Sequence, residues 1–415
     1  MRYWDAVFAF LVATAVAALL TPLAGRLARR VGAIAYPSDR GLAREPTPEL
    51  GGLAILAAVV LAAVIWLPGT IVLAKSAHAG AAGVVHTWTL IGGAVLIALV
   101  GAIDDTINLP PLLKLAGQIG AAVVAAAGGA VINSVTLPFI GGLQFTDAAR
   151  PLSVVWLVTL MNIVNFSDGV DGLAAGVCTI DGAAFAVIAF TLPDGTSPAV
   201  LAAITAGASL GFLFHNRYPA KIFMGDTGAN LLGYLLGVAA VIGSLKANAI
   251  VALAVPLLVL AVPFMDTGFV VAKRLKYRHA PWHADAEHFH HRMARIGFSQ
   301  RRTVAYLYAW TLMLAGVALA LKFVPYKKPN IPGHYHLGGS LVMGVILLFA
   351  VIASVYLVYV LEIFKFKSLR AIQLRRVDPD TSEHDIVASV EREIETGEFD
   401  AVKAPKPVNP LERHE

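Results

Sequence analysis

Long apolar runs separated by short polar stretches dominate the chain. A helix of about 20 apolar residues spans the roughly 30 Å hydrocarbon core of a bilayer, and most of the runs approach that length. They occupy residues 4–23, 50–67, 87–103, 111–131, 151–166, 173–192, 197–214, 229–245, 248–271, 303–323 and 339–362. The pattern predicts an all-α, polytopic integral membrane protein with about 10–11 transmembrane helices.

Composition supports a membrane protein. Of the 415 residues, 57% are hydrophobic and 14% are charged, whereas soluble domains carry about 25% charged residues. The first run has Asp5 near its start and lacks a small-residue cleavage site before a soluble domain, so it is interpreted as an anchor. The single cysteine, Cys178, excludes a disulfide within the chain and a cysteine-based metal site.

The basic residues predict an orientation. With the N-terminus outside and the C-terminus inside, the inner loops hold sixteen Lys and Arg residues and the outer segments seven, as the positive-inside rule requires. Because membrane topology explains these basic residues, no nucleic-acid partner is expected. We predict a catalytic membrane domain over residues 1–363 and a charged cytoplasmic tail over 364–415 that is partly helical or disordered.

Polar residues gather at four places, and this topology puts all four on the inner side. They are Asp104, Asp105 and Lys114; Asn162, Asn165, Asp168 and Asp171; Lys221 and Asp226; and His288, His290, His291 and Arg292. Taken alone, each cluster has a structural alternative: in the same order, a solvated helix end, a glycine-rich turn between helices, a helix N-cap, and a positive-inside loop with incidental histidines. Together they favour metal-assisted phosphoryl chemistry, because Mg²⁺ takes carboxylate and phosphate oxygens and basic side chains bind phosphate.

The histidine-rich segment is interpreted as an anion clamp. It fits neither the HExxH nor the HxxEH pattern of zinc hydrolases, and basic residues precede it. The chain also lacks the glycine-rich sequences GxxxxGK[ST] and GxGxxG that cradle phosphates in soluble nucleotide-binding domains. Any nucleotide must therefore be held by the loops between the apolar runs.

In order and spacing, these residues resemble the motifs of the polyprenyl-phosphate N-acetylhexosamine-1-phosphate transferases, a family of integral membrane enzymes. The resemblance extends from about Pro37 to Arg292. It is carried by Asp104, Asp105, Asn108 and Lys114, by NxxNxxDGxDGLA from Asn162 to Ala174, by PAKIFMGDTGA from Pro219 to Ala229, and by Pro263, Asp266 and Thr267.

The resemblance implies a reaction. A UDP-linked amino sugar and polyprenyl phosphate react at the cytoplasmic face of the plasma membrane, giving polyprenyl-diphospho-sugar and UMP as the first membrane step of a cell-envelope glycan. Mg²⁺, with Mn²⁺ as a substitute, is expected on Asp226 with Asn165 close by. A homodimer is left open.

The resemblance also implies roles for the site residues. Asp104 and Asp105 are expected to orient or deprotonate the lipid phosphate, and Lys114 to bind phosphate. Substrate binding is expected of Asn162, Asn165, Lys221 and Arg292, of Asp168 and Asp171 at the nucleotide end, and of His288, His290 and His291 at the sugar or diphosphate. Direct displacement is favoured over an Asp-bound intermediate.

The identity of the transferred sugar depends on the branch of the family. Asp285 followed by His288, His290, His291 and Arg292 is similar to the GlcNAc-1-phosphate branch, although Ala286 and Ala43 stand where that branch has Arg and His. The phospho-N-acetylmuramoyl-pentapeptide transferase activity, or another UDP-HexNAc specificity, is the alternative. An ion-coupled transporter is a remote alternative, because transport sites lie near the bilayer midplane and these carboxylates lie at span ends.

Overall fold

The computed structural model of the protein describes residues 3–36, 45–73, 83–137, 141–192, 195–244, 300–324 and 337–360. Ten helices lie within these ranges. They are α1 (Tyr3–Val31), α2 (Gly51–Trp66), α3 (Thr87–Ile107), α4 (Pro111–Ala127), α5 (Ala149–Ser167), α6 (Leu173–Phe190), α7 (Thr196–Asn216), α8 (Gly225–Ser244), α9 (Gln300–Phe323) and α10 (Leu337–Val360).

The helices confirm the prediction of an all-α, polytopic membrane protein. Each falls on one of the predicted apolar runs, and the remaining run, 248–271, lies outside the described residues. Eight of the described helices are long and apolar enough to cross a membrane, while α2 and α4 are shorter, with 16 and 17 residues. The inner and outer assignment of the ends, and the domain division at residue 363, stay predictions.

Helix α8 forms the centre of the bundle. In its apolar window 89% of the residues are buried, against 11% for the peripheral α10. Helices α3 and α5 pack against α8, α1 packs against α2 and α7, and α9 packs against α6. Gly101 permits the contact between α3 and the start of α8, because a Cβ there would lie 2.5 Å from the Cα of Thr227.

Three short antiparallel strand pairs connect helices and were not predicted. They are β1 (Ile34–Ala35) with β2 (Thr47–Pro48), β3 (Thr70–Leu73) with β4 (Gly83–His86), and β5 (Ser134–Leu137) with β6 (Gly141–Gln144). Two of the pairs lie in segments that the sequence analysis assigned to outer loops. Strands of two to four residues are too short for a clear period-two alternation, so the pattern could not reveal them.

Candidate active site

Three carboxylates meet where α3 ends and α8 begins. Asp104 and Asp105 occupy the last turn of α3, and Asp226 is the second residue of α8. One oxygen from each carboxylate lies within 4.8 Å of the others. The structure therefore brings together two clusters that lie more than a hundred residues apart in the sequence.

Asp105 holds the start of α8 in place. Its carboxylate accepts hydrogen bonds from the Asp226 N–H at 2.7 Å, the Thr227 N–H at 3.2 Å and the Thr227 hydroxyl at 2.6 Å. The first N–H groups of a helix have no partner within the helix, and Asp105 provides one from α3. Gly225 is required beside it, since its φ is +67° and a Cβ would lie 2.2 Å from an Asp105 oxygen.

Asp104 and Asp226 share a lysine. Asp104 accepts a hydrogen bond from the Leu109 N–H at 2.7 Å and forms an ion pair with the Lys114 ammonium group. The same ammonium group lies 3.2 Å from Oδ2 of Asp226. Lys114 belongs to the first turn of α4. The short turn between α3 and α4 therefore places the Lys114 ammonium group next to the carboxylates.

Of the two asparagines on α5, Asn165 contacts the cluster directly and Asn162 contacts it through other side chains. Asn165 makes a side-chain hydrogen bond with Asp226. Asn162, one turn earlier, donates to Gln118 at 2.8 Å, and Gln118 donates to Asn230 at 2.8 Å. Asn162 therefore belongs to a polar network that connects α5, α4 and α8 and supports the cluster from within the bundle.

Two further acids lie close enough to the cluster to feel its charge. Burial, reinforced by the carboxylates of Asp105, Asp226 and Asp104, raises the pKa of Glu49 to about 7. Burial also raises the pKa of Asp168 well above its usual range, and the charges of Asp226, Asp105 and Glu49 act in the same direction. Five acids thus share a region in which a bound cation would relieve their repulsion.

Asp171, in the turn between α5 and α6, lies against the segment between α7 and α8 that carries Lys221. Asp171 accepts a hydrogen bond from the Ala220 N–H at 2.9 Å. Asn216 accepts from the Gly172 N–H at 3.0 Å and donates to the carbonyl of Ile222 at 2.9 Å. These bonds fix the DGxDG turn to the segment that carries Lys221.

The remaining predicted site residues, His288, His290, His291 and Arg292, lie outside the described residues, so their place in the site stays a prediction. Sequence reasoning missed Glu49, Gln118 and Asn230. The last two carried a usable signal. Each follows a site residue by four positions within an apolar run, which puts it on the same helix face as Lys114 or Asp226.

The donor set fits a magnesium ion. It consists of carboxylate and amide oxygens, the hard ligands that Mg²⁺ prefers. Asp105 already accepts three hydrogen bonds, and a carboxylate has about four acceptor positions. Those three bonds go to the start of α8, whereas Asp226 is contacted by the side chains of Lys114 and Asn165. Asp226 and Asp104 are therefore better candidates than Asp105 to hold the ion, with the Asn165 side chain next to Asp226.

Comparison with known proteins shows the family of the chain. Residues 87–244 match the family described as Glycosyl transferase family 4. The chain is 32% identical to the "Probable undecaprenyl-phosphate N-acetylglucosaminyl 1-phosphate transferase" of Bacillus subtilis, over 76% of this chain and 85% of the relative. It is 35% identical to the "Decaprenyl-phosphate N-acetylglucosaminephosphotransferase" of Mycolicibacterium smegmatis, over 79% and 82%.

A relative with a different named activity also matches. The "Phospho-N-acetylmuramoyl-pentapeptide-transferase" of Mycolicibacterium paratuberculosis is 31% identical over 75% of this chain and 94% of the relative.

These matches, together with a bundle of helices long and apolar enough to cross a membrane, identify a membrane-embedded transferase. The chain belongs to the polyprenyl-phosphate N-acetylhexosamine-1-phosphate transferase family.

Proposed function

We propose that the protein transfers N-acetylglucosamine 1-phosphate from UDP-N-acetylglucosamine to polyprenyl phosphate, giving polyprenyl-diphospho-N-acetylglucosamine and UMP. The observation that carries the proposal is the convergence of Asp104, Asp105 and Asp226, with oxygens within 4.8 Å, on the ammonium group of Lys114. This arrangement can hold a divalent cation and a phosphate together. The named activities of the two N-acetylglucosamine relatives support the choice of sugar.

The reaction needs one displacement at phosphorus. An oxygen of the lipid phosphate attacks the phosphorus that carries the sugar, and the bond from that phosphorus to the oxygen of UMP breaks. The lipid phosphate is already ionised, so a strong base is unnecessary. Lys114 stabilises the charge spread over the phosphate oxygens, while Asp104 orients Lys114 and the lipid phosphate.

The acids have separate roles in this account. Asp226, with Asp104 and Asn165, would hold Mg²⁺, for which Mn²⁺ can substitute. When bound, the ion supplies Lewis-acid stabilisation of the phosphate charge. Asp105 is a positioning residue, because its contacts are to the start of α8.

The UDP-sugar donor binds next to the lipid phosphate. Asp168 and Asp171 hold the nucleotide end and Lys221 its phosphates. Asn162 supports the acidic cluster through Gln118 and Asn230. His288, His290, His291 and Arg292 complete the site around the diphosphate or sugar. The site faces the cytoplasm at the plasma membrane, and a homodimer is compatible with it.

The test is the choice of donor. Purified protein with Mg²⁺ is expected to release UMP from UDP-N-acetylglucosamine only when polyprenyl phosphate is present. The matched reaction replaces the donor with UDP-N-acetylmuramoyl-pentapeptide, the alternative that the 31% identical relative raises. Release of UMP from the pentapeptide donor alone would overturn the sugar and retain the reaction class. No release from either donor would overturn the proposed function.

A further inference from the structure

A cavity of about 820 Å³ lies beside the acidic cluster, between the end of α7 and the start of α9. It adjoins the site at Asp171 and Lys221 and extends away from Asp104, Asp105 and Asp226, none of which lines it. Its position is informative because α7 and α9 both meet the criteria for a membrane span. The cavity therefore lies at the level where two spans leave the membrane.

Three cations line this cavity. Arg217 and Lys221 belong to the segment after α7, and Arg301 to the first turn of α9. All three are exposed, and none forms an ion pair with another residue in the described part of the chain. The guanidinium group of Arg301 lies 5.5 Å from the ring centroid of Tyr218, which also lines the cavity.

The rest of the lining is mainly apolar. Leu213, Phe214, Val304 and Ala305 come from the parts of α7 and α9 that lie within the candidate spans. Phe214 is 53% exposed. An exposed aromatic side chain beneath a set of cations is the arrangement expected where a lipid places its phosphate near basic residues and its chains against the helices.

The walls of the cavity are held by hydrogen bonds. The Tyr308 hydroxyl donates to the carbonyl of Gly172, and the Lys221 N–H donates to the carbonyl of His215 at 2.9 Å. The carboxylate of Asp171, the acid in the lining, accepts from the Ala220 N–H. These bonds connect the turn before α6 to α9 and to the segment after α7.

We propose that this cavity binds the phosphate headgroup of an anionic phospholipid of the surrounding bilayer, separately from the substrates. Arg217 and Arg301 bind the phosphate, and the acyl chains lie against Phe214 and Val304. A soluble nucleotide fits less well, since the apolar part of the lining belongs to α7 and α9, two helices that meet the criteria for a membrane span. The acceptor lipid fits less well because its phosphate must reach Asp104 and Lys114.

The experiment measures bound lipid, so it is independent of transferase activity. The full-length protein is purified in detergent, supplied with phosphatidylglycerol or phosphatidylcholine, and analysed by native mass spectrometry. The double variant Arg217→Gln/Arg301→Gln is compared with Arg29→Gln/Arg30→Gln, which removes two cations from the last turn of α1. We expect the first variant to weaken phosphatidylglycerol binding by about 10- to 30-fold, with the second close to wild type.

Two further variants separate charge from fold. Arg217→Lys/Arg301→Lys should retain most of the binding, because the charge is kept. Ala305→Trp fills the apolar part of the lining without changing the charge, and this variant should no longer bind phosphatidylglycerol. Wild-type binding in the double Gln variant, or equal binding of phosphatidylcholine, would overturn the proposal.

Competition identifies the occupant. Phosphatidylglycerol should remain bound in the presence of inorganic phosphate, UDP-N-acetylglucosamine and polyprenyl phosphate. Displacement by the nucleotide sugar or by polyprenyl phosphate at equal concentration would assign the cavity to a substrate and overturn the proposal. Displacement by inorganic phosphate would show that the acyl chains contribute nothing and would overturn it as well.

Discussion

The acidic cluster and the basic cavity are neighbours with opposite charge. In the cluster, Asp104 and Asp226 contact a single lysine, and Asp105 binds the backbone of α8. In the cavity, Arg217 and Arg301 have no ion-pair partner among the described residues. The segment between α7 and α8 lines the cavity and leads directly into Asp226 at the start of α8. The difference indicates that the cluster is organised to hold a cation and the cavity an anion, so changes in one should leave the other intact.

The largest effect is expected for Asp226→Asn. Loss of this charge removes the residue that contacts both Lys114 and Asn165. UMP release should fall by about 10²- to 10³-fold, the range for removing a preorganised charge-stabilising group. Phosphatidylglycerol binding should be unchanged. Turnover within twofold of wild type would remove Asp226 from the site.

Lys114→Met should have the next largest effect. The ammonium group is the one cation that contacts the cluster among the residues described, and its loss should lower kcat/KM by about 10²-fold. Lys114→Arg is the matched control. The Arg variant should recover part of the activity. The positive charge is retained, but the planar guanidinium group contacts the carboxylates with a different geometry. Equal activity in the Met and Arg variants would contradict an electrostatic role.

Gln118→Leu tests the network beneath the cluster. Gln118 is buried and connects Asn162 to Asn230, which donates to the backbone carbonyl of Asp226. Mn²⁺ affinity should fall by about tenfold, the lower range for residues that support metal ligands. The KM for the lipid should be unaffected. A loss in lipid KM with full metal affinity would assign Gln118 to the acceptor instead.

The smallest effect is expected for Glu49→Gln. Because the pKa of Glu49 is raised to about 7, this carboxyl group is neutral below that pH and ionised above it. The wild-type affinity for Mg²⁺ should therefore rise between about pH 6 and about pH 8 as the charge develops. In the Glu49→Gln variant, the Mg²⁺ affinity should change less with pH. At about pH 8 it should be about threefold lower than in wild type. An unchanged profile would place Glu49 outside the electrostatic field of the cluster.

The sequence predicted the parts of the fold that depend on long apolar runs. It also predicted the residues of the cluster, because aspartates at the ends of such runs are costly without partners. It could not show that Asp105 binds α8 whereas Asp104 binds Lys114, since adjacent residues in a helix point in directions about 100° apart and their partners come from distant segments.

Glu49 and the cavity were not predicted for a related reason. Glu49 precedes α2 among ordinary turn residues, and its proximity to Asp105 arises from packing between α2, α3 and α8. Arg217 and Arg301 were counted as positive-inside residues. Only the folded chain places them on one cavity with Phe214.

The most direct test of the central claim is Mn²⁺ binding followed by electron paramagnetic resonance in the purified full-length protein. The account predicts a site in wild type that Asp226→Asn loses and that Arg217→Gln/Arg301→Gln retains. Adding UDP-N-acetylglucosamine should change the spectrum of the bound ion in wild type. Equal Mn²⁺ binding in wild type and Asp226→Asn would contradict the claim that the acidic cluster holds the catalytic cation.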